Sequence, residues 1–176
     1  EEALKVLEPG MSVLDLCTGS GCVIISLLRQ KRLFGTASDI SKQALLIAKE
    51  NARNNRVDVQ LGRSNLFQNI IGRYDMIIAN PPYIPSGVIG TLMPEVREHE
   101  PMEALDGGED GLLFYRRIVE ECRPHLCGGG MLFLEIGYDQ AEDVRKLMEN
   151  AGFHEINVVK DYSGLDRVVC GMSGFE

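Results

Sequence analysis

The 176-residue sequence predicts an α/β fold: a doubly wound, mostly parallel sheet of seven strands with an antiparallel hairpin at its C-terminal edge. Apolar, β-rich runs alternate with segments of helical periodicity, which is typical of a parallel sheet covered on both faces. The last two apolar runs are separated only by residues 162–165, and so short a connection joins antiparallel strands. The length suits a single domain over residues 1–176.

The first half of the chain supplies four of the predicted strands and two helices. The strands are placed over residues 11–17, 33–39, 57–62 and 74–80, and the helices over residues 22–31 and 41–55. The first helix follows a turn that contains two glycines. Ser41 is a suitable N-cap for the second helix, because a serine hydroxyl can accept from a free backbone N–H of the first turn.

The second half opens with residues 81–110, which are rich in proline, glycine and acidic side chains and are predicted to form one long loop. Loops of that length in compact domains are usually functional. Helices are then predicted over residues 111–126 and 138–152, the latter closed by Gly152 as C-cap, and strands over residues 128–137, 153–161 and 166–174.

The charge and composition argue against several classes of protein. The net charge is −8, and a dedicated duplex-binding surface is usually basic; the cluster at residues 29–32 is interpreted as a solvated helix end. No apolar run approaches the roughly 20 residues that span a bilayer, and no signal peptide opens the sequence. We therefore expect a cytoplasmic location and no membrane partner. The missing initial Met suggests a fragment of a longer protein.

The five cysteines predict no metal centre. An odd number of cysteines without a secretory signal points to reduced thiols. Neither cysteine pair has a further Cys or His nearby to complete a zinc site.

A candidate ligand-binding edge is predicted where the first two strands end. Gly19 and Gly21 follow the first strand, and glycine lets the backbone approach a ligand closely. Position 24 is Ile24, so the G-x-G-x-x-G fingerprint of dinucleotide sites is incomplete, which argues against a pyrophosphate cofactor. Asp39 ends the second strand, where an acidic residue can accept from both hydroxyls of a ribose. The alternative is that Asp39 only caps the following helix, and the two roles are compatible.

The fourth strand ends on the sequence Asn80-Pro81-Pro82-Tyr83. Proline offers no backbone N–H, so this corner presents acceptors rather than donors. Carboxyl ends of parallel strands share one edge of the sheet, and the corner is therefore expected beside the glycine turn and Asp39. A plain strand-ending turn is the alternative, but such a turn would not need the other two strand ends to converge on it.

In this arrangement the sequence resembles class I methyltransferases, which have a Rossmann-like fold and use S-adenosylmethionine. NPPY looks like the signature of enzymes that methylate planar exocyclic or amide nitrogens. Across nearly the whole chain the sequence is similar to the HemK/PrmC family of protein glutamine methyltransferases. The matching segments are DLCTGSG (15–21), NPPYIP (80–85), EPMEALDGGEDGLLFYRRI (100–118), LEIGYDQ (134–140) and GLDRVVCG (164–171).

The resemblance implies a role for each matching residue. The methionine part of S-adenosylmethionine would be wrapped by Cys17, Thr18, Gly19, Ser20 and Gly21. Asp39 would hold its ribose, its adenine would lie beside Ser64, Asn65 and Leu66, and Asn80 would also border the cofactor. The substrate amide would be held by Asn80, Pro81, Pro82 and Tyr83, with Asn80, Pro81 and Tyr83 catalytic. The implied substrate is the Gly-Gly-Gln loop of peptide-chain release factors.

Three departures from the family's pattern bear on this reading. The family usually has glycine where Cys17 stands and aspartate where Asn65 stands. An asparagine oxygen can still accept from the adenine amino group, but without a charge, so we expect weaker cofactor binding rather than none. The family's helical N-terminal domain, which helps to grip the protein substrate, has no counterpart in this sequence.

The chemistry explains why an amide nitrogen would need such a corner. Its lone pair is delocalised into the carbonyl, so positioning and electrostatics are the means of activating it. The Asn80 side-chain oxygen can accept one N–H and the Pro81 carbonyl the other, while Tyr83 packs against the flat amide. Both hydrogen bonds strengthen as the nitrogen gains positive charge, which favours the transition state.

Two other functions stay open at this point. An amino-methyltransferase acting on an adenine or guanine base would meet the same planar NH₂, but the acidic composition and the 100–112 segment argue against a nucleic-acid partner. A non-catalytic cofactor- or partner-binding module is suggested by the changes at Cys17 and Asn65, whereas the intact Asn80, Pro81 and Tyr83 argue against it.

The remaining acidic residues fall into two groups. Four are expected to be loop charges or caps rather than acid–base residues: Glu100, Asp106, Glu109 and Asp110. Glu135 lies inside an apolar strand, where a carboxylate needs a partner that the sequence does not identify.

Overall fold

The computed structural model describes residues 1–93 and 101–174. The strands are β1 (Ser12–Leu16), β2 (Phe34–Asp39), β3 (Gln60–Arg63), β4 (Tyr74–Ala79), β5 (Leu126–Glu135), β6 (Phe153–Lys160) and β7 (Asp166–Ser173). The helices are α1 (Glu2–Val6), α2 (Cys22–Gln30), α3 (Lys42–Asn55), α4 (Ser86–Ile89), α5 (Met102–Leu105), α6 (Leu113–Glu121) and α7 (Ala141–Asn150). A 3₁₀ turn, Arg123–His125, precedes β5.

All seven strands form one sheet in the order β3-β2-β1-β4-β5-β7-β6. Strands β1 to β5 are parallel, and β7 runs antiparallel to both β5 and β6. The predicted seven-stranded sheet with an antiparallel C-terminal edge hairpin is therefore confirmed. The strand order reverses between β1 and β4, and ligands bind at such a switch point in open α/β sheets.

Apolar side chains alternate between the two faces of the sheet and build a core on each. Leu14 and Leu16 of β1 belong to the cluster that includes Ile118 of α6 and Val144 of α7. Val13 of β1 belongs to the cluster that includes helices α1, α2 and α3. The period-two alternation of a strand thus covers both faces with helices. This packing fixes the carboxyl ends of β1, β2 and β4 side by side.

Several predicted boundaries differ from the structure. Strand β3 begins at Gln60, not at residue 57, because Arg56 adopts φ 55° at the end of α3 and the Val57 N–H bonds the Ala52 carbonyl. The prediction of one helix over residues 111–126 was wrong at its C-terminal end: α6 ends at Glu121 and β5 begins at Leu126. The intervening 3₁₀ turn contains proline, which cannot continue a helical hydrogen-bond ladder.

The prediction of a single loop over residues 81–110 was also wrong within the described residues, because short helices α4 and α5 lie there. Each has four residues, too few to leave a periodic apolar pattern. Glu100 lies outside the described residues.

Within residues 1–93 and 101–174, no helix combines the length and the apolar character that crossing a membrane requires. Over the same residues, no three His, Cys, Asp or Glu side chains come together as metal ligands.

Candidate functional site

The turn after β1 leaves the strand through unusual backbone conformations. Cys17 has φ 53° and Gly19 has φ 56°, both in the left-handed region. The Thr18 N–H donates to the Ser38 carbonyl of β2 at 3.0 Å, and the Gly21 N–H donates to the Thr18 carbonyl at 2.9 Å. The turn is thereby fixed against the end of the neighbouring strand before α2 begins.

The two glycines of this turn serve different purposes. A Cβ on Gly21 would lie 3.0 Å from Ile25 Cδ1 and 3.2 Å from Ala48 Cβ, so Gly21 allows α2 to pack against α3. A Cβ on Gly19 would meet no atom within 4 Å. Gly19 therefore exposes backbone to open space, as a backbone that is approached closely by a ligand requires.

Asp39 joins the glycine turn to the end of β2. Its Oδ2 accepts from the Gly19 N–H at 2.9 Å, and its Oδ1 accepts from the Ser41 N–H at 2.8 Å. The Ser41 hydroxyl in turn accepts from the Ala44 N–H at 3.3 Å, which confirms the predicted N-cap. Asp39 thus helps to start α3, and each carboxylate oxygen keeps a further lone pair for a ligand hydroxyl.

Asp15 lies beneath the same turn and is 2% exposed. Its Oδ2 accepts from the Thr18 hydroxyl at 2.7 Å. Burial raises the pKa of this carboxyl to about 7, against the opposing effect of hydrogen bonds from Thr18 and the Ile24 backbone. Burial, with the negative charge of Asp39 as the next cause, also raises the pKa of the Cys17 thiol to about 12, so Cys17 acts as a neutral side chain.

The segment after β3 forms a second wall beside Asp39. The Ser64 N–H donates to the Asp39 carbonyl at 3.0 Å, and the Ser64 hydroxyl donates to the Leu66 carbonyl at 2.6 Å. Leu66 is buried with φ 49°. The Asn65 Oδ1 accepts from the Arg117 guanidinium of α6 at 3.2 Å. Arg117 was missed by the sequence analysis, because the two residues lie 52 positions apart.

The Asn-Pro-Pro-Tyr corner begins one residue beyond β4. Ala79 pairs with Leu16 of β1 on one side and with Leu134 of β5 on the other. Asn80 therefore leaves the sheet between the ends of β1 and β5, next to the glycine turn. Asn80 is exposed, whereas Pro81 and Pro82 are buried.

Residues 105–108 run beside the segment that follows the two prolines. The Ile84 N–H donates to the Leu105 carbonyl at 2.9 Å, and the Gly107 N–H donates to the Ile84 carbonyl at 2.8 Å. Asp106 Oδ1 accepts from the Ser86 hydroxyl at 2.6 Å and from the Gly108 N–H at 2.9 Å. Asp106 therefore stabilises the turn, as predicted, and these hydrogen bonds hold its pKa below the usual range.

Gln140, just before α7, connects this corner to the end of β5. Its Nε2 donates to the Tyr83 carbonyl at 2.9 Å and to the Gly111 carbonyl at 3.3 Å. Its Oε1 accepts from the Gly137 N–H at 2.9 Å and from the Tyr115 hydroxyl at 3.4 Å. Gln140 is 8% exposed.

Asp110 and Glu135 interact with arginines that the sequence did not identify. Asp110 accepts from the Leu112 N–H and from Arg116, which confirms its prediction as a loop charge. Glu135 ends β5, where burial raises the pKa of its carboxyl and the positive charge of Arg167 opposes that rise. Arg167 on β7, whose guanidinium is ion-paired with Asp161 at 3.1 Å, thus offsets part of the cost of burying Glu135 through its charge.

Comparison with known proteins gives a consistent picture. A family profile described as "Methyltransferase small domain" matches residues 2–95. The chain is 46% identical over 160 residues to the release factor glutamine methyltransferase of Agrobacterium fabrum. The matched region covers 89% of this chain and 55% of the relative. It is 42% identical over 174 residues to the enzyme of the same name from Thermodesulfovibrio yellowstonii. That match covers 96% of this chain and 62% of the relative. The chain thus spans somewhat over half the length of these curated relatives.

Solved structures confirm the fold. A methyltransferase from Pyrococcus furiosus superposes with a TM-score of 0.75 at 18% identity, covering 97% of this chain and 79% of that one. A ribosomal protein L11 methylase from Lactobacillus delbrueckii subsp. bulgaricus superposes with a TM-score of 0.69 at 19% identity, covering 96% and 73%. The predicted Rossmann-like methyltransferase fold is confirmed. Since the family profile matches more than half of the sequence, this chain belongs to the methyltransferase small domain family.

Proposed function

We propose that this protein transfers a methyl group from S-adenosylmethionine to the side-chain amide nitrogen of a protein glutamine. The observation that carries the proposal is the convergence of three strand ends: the glycine turn after β1, Asp39 at the end of β2 and Asn80 after β4. The relatives named release factor glutamine methyltransferase support the substrate, which we take to be the Gly-Gly-Gln loop of peptide-chain release factors.

The residues around the glycine turn suit the cofactor. Open space beside the Gly19 backbone admits a ligand, and Cys17 and Thr18 line the turn as uncharged side chains. Asp39, already accepting one bond at each oxygen, keeps acceptor capacity for the ribose hydroxyls. Ser20 and Gly21 complete the turn around the methionine part, and Asn65 and Leu66 stand where the adenine would lie. When bound, S-adenosylmethionine supplies an electrophilic methyl group on a sulfonium centre.

The Asn-Pro-Pro-Tyr corner would hold the nucleophile. The exposed Asn80 side chain offers its amide oxygen to one N–H of the substrate glutamine, and the Pro81 carbonyl accepts the other. Because Pro81 and Pro82 carry no N–H, no backbone donor of these two residues competes for those acceptors. Tyr83 supplies an aromatic wall against the flat amide.

The electronic consequence favours transfer. Two acceptors placed on the same NH₂ direct electron density towards nitrogen while its substituents are held in plane. The hydrogen bonds strengthen as the nitrogen becomes positive, and they therefore lower the barrier more than they stabilise the bound substrate. The proton leaves the methylated nitrogen for solvent after the transfer.

A methyl-transfer assay with three acceptors tests the proposal. The protein is incubated with S-adenosylmethionine labelled in the methyl group and, separately, with a release factor, with the same factor carrying a substitution of the loop glutamine, and with DNA or RNA. We expect label on the unaltered factor alone. Label on nucleic acid would identify an amino-methyltransferase of bases instead. Measurable cofactor binding without label on any acceptor would indicate a non-catalytic binding module.

A further inference from the structure

The Asn-Pro-Pro-Tyr corner cannot be held by backbone donors at its two prolines. Pro81 and Pro82 have no N–H to donate, and β4 ends at Ala79. The position of the Pro81 carbonyl is therefore set by the sheet on one side and by the anchors of Tyr83 and Ile84 on the other. Ile84 is anchored through its own N–H and carbonyl to Leu105 and Gly107.

At Tyr83 the anchor of the carbonyl is a side chain. Gln140 Nε2 donates to this oxygen at 2.9 Å from a position 57 residues away in the chain. The orientation of the Gln140 amide is unambiguous, because its two faces meet opposite partners. The NH₂ faces the carbonyls of Tyr83 and Gly111, and the oxygen faces the Gly137 N–H. A flipped amide would oppose like groups on both sides.

The backbone of the 105–111 segment lies close to this bridge. A Cβ on Gly111 would lie 2.4 Å from the Tyr83 carbonyl oxygen and 2.7 Å from Gln140 Nε2. A Cβ on Gly107 would lie 2.7 Å from the Tyr83 Cα. The glycines of the 105–111 segment thus allow its backbone to pack directly against Tyr83. Gln140 links the two by donating to the carbonyls of both Tyr83 and Gly111.

We propose that Gln140 is a positioning residue for methyl transfer: it fixes the Tyr83 carbonyl and so aims the Pro81 carbonyl and the Tyr83 ring at the substrate amide. In this proposal the 105–111 segment packs against the Asn-Pro-Pro-Tyr corner and supports it, and does not itself contact the substrate. This inference rests on the proposed function for its kinetic consequence, and on the geometry alone for its structural consequence.

The test compares Gln140→Met with Val144→Ala. Gln140→Met keeps the length and buried volume of the side chain but loses its hydrogen bonds to the Tyr83 carbonyl, the Gly111 carbonyl and the Gly137 N–H. Val144 is fully buried one helical turn further on, in α7. Its truncation lowers stability but removes none of the side-chain hydrogen bonds that Gln140 makes to the Tyr83 and Gly111 carbonyls. We expect Gln140→Met to lower kcat for methyl transfer by between about 10-fold and 100-fold, because small displacements of a positioning group are costly. Cofactor Kd stays within about twofold, and Val144→Ala keeps its kcat.

A substrate-independent measurement separates the inference from the proposed function. Amide hydrogen exchange at Ile84 and Gly107 should accelerate in Gln140→Met and should not accelerate in Val144→Ala. The two exchange rates are compared under conditions in which both variants have the same free energy of unfolding. If the unaltered protein transfers no methyl group but exchange changes as expected, only the proposed function fails. If Gln140→Met retains kcat, or if Val144→Ala loses as much of it, the positioning role is overturned.

Discussion

The ionisation of Asp15 gives the sharpest quantitative prediction for the folded protein. Its pKa lies at about 7 in the folded chain because the carboxyl is buried, against roughly 3.9 in an unfolded one. A raised pKa means that the folded state binds the proton more tightly. Stability from this group is therefore fully present below about pH 4 and is lost as the pH rises to about 7. The loss follows about 1.4 kcal/mol per pH unit in that window.

The perturbation is Asp15→Asn, which removes the ionisation and keeps an oxygen for the Ile24 N–H. Urea unfolding of both proteins is measured at pH 5, 6, 7 and 8. The free energy of unfolding of the variant minus that of the unaltered protein should rise by about 3 kcal/mol from pH 5 to pH 8, since about two pH units fall within the titration. The subtraction cancels other titrating groups. A difference that stays constant to within about 0.5 kcal/mol would refute the reasoning.

Three further substitutions have defined outcomes. Gly111→Ala should lower the unfolding free energy by about 2 kcal/mol or more in urea titrations and slow methyl transfer, because its Cβ would lie 2.4 Å from the Tyr83 carbonyl oxygen; normal stability would contradict the tight packing. Gly19→Ala should lower the unfolding free energy by only about 1 kcal/mol, because of the positive φ at this position. It should weaken cofactor binding, measured by calorimetry, at least about 10-fold, and an unchanged affinity would remove Gly19 from the cofactor site. Asn65→Asp should tighten cofactor binding about fivefold, since a carboxylate accepts from the adenine amino group about 1 kcal/mol more strongly than an amide oxygen does, and unchanged or weaker binding would show that Asn65 does not contact the adenine.

The sequence was most informative where local patterns carry long-range consequences. Alternating strands and helices, and the short connection at residues 162–165, were enough to predict the sheet and its antiparallel hairpin. The places of Gly19, Asp39 and Asn80 followed as well, because parallel strands bring their carboxyl ends to one edge. Boundaries were less predictable: Arg56 and Val57 extend the end of α3 by hydrogen bonds that displace the start of β3.

The support of the site could not be predicted in the same way. Gln140 acts on backbone carbonyls 57 and 29 residues away, and Arg117 acts on a side chain 52 residues away. Neither contact leaves a periodic pattern, since each depends on the folded path of the chain. The density of glycines in the 105–111 segment indicates close backbone approach but not the residue approached, and the family resemblance of segments 100–118 and 134–140 marks Arg117 and Gln140 without giving them a role.

Asn80 is the residue on which the proposed chemistry depends most directly. Single-turnover methyl transfer to a release factor and cofactor Kd are measured for the unaltered protein, for Asn80→Ala and for the control Asn157→Ala, an exposed asparagine on β6. The account predicts that Asn80→Ala slows transfer by at least about 100-fold, as expected for the loss of an electrostatic contact in the transition state, with cofactor Kd nearly unchanged. A large loss of cofactor affinity, or transfer at the unaltered rate, would contradict the assignment of Asn80 to the substrate amide.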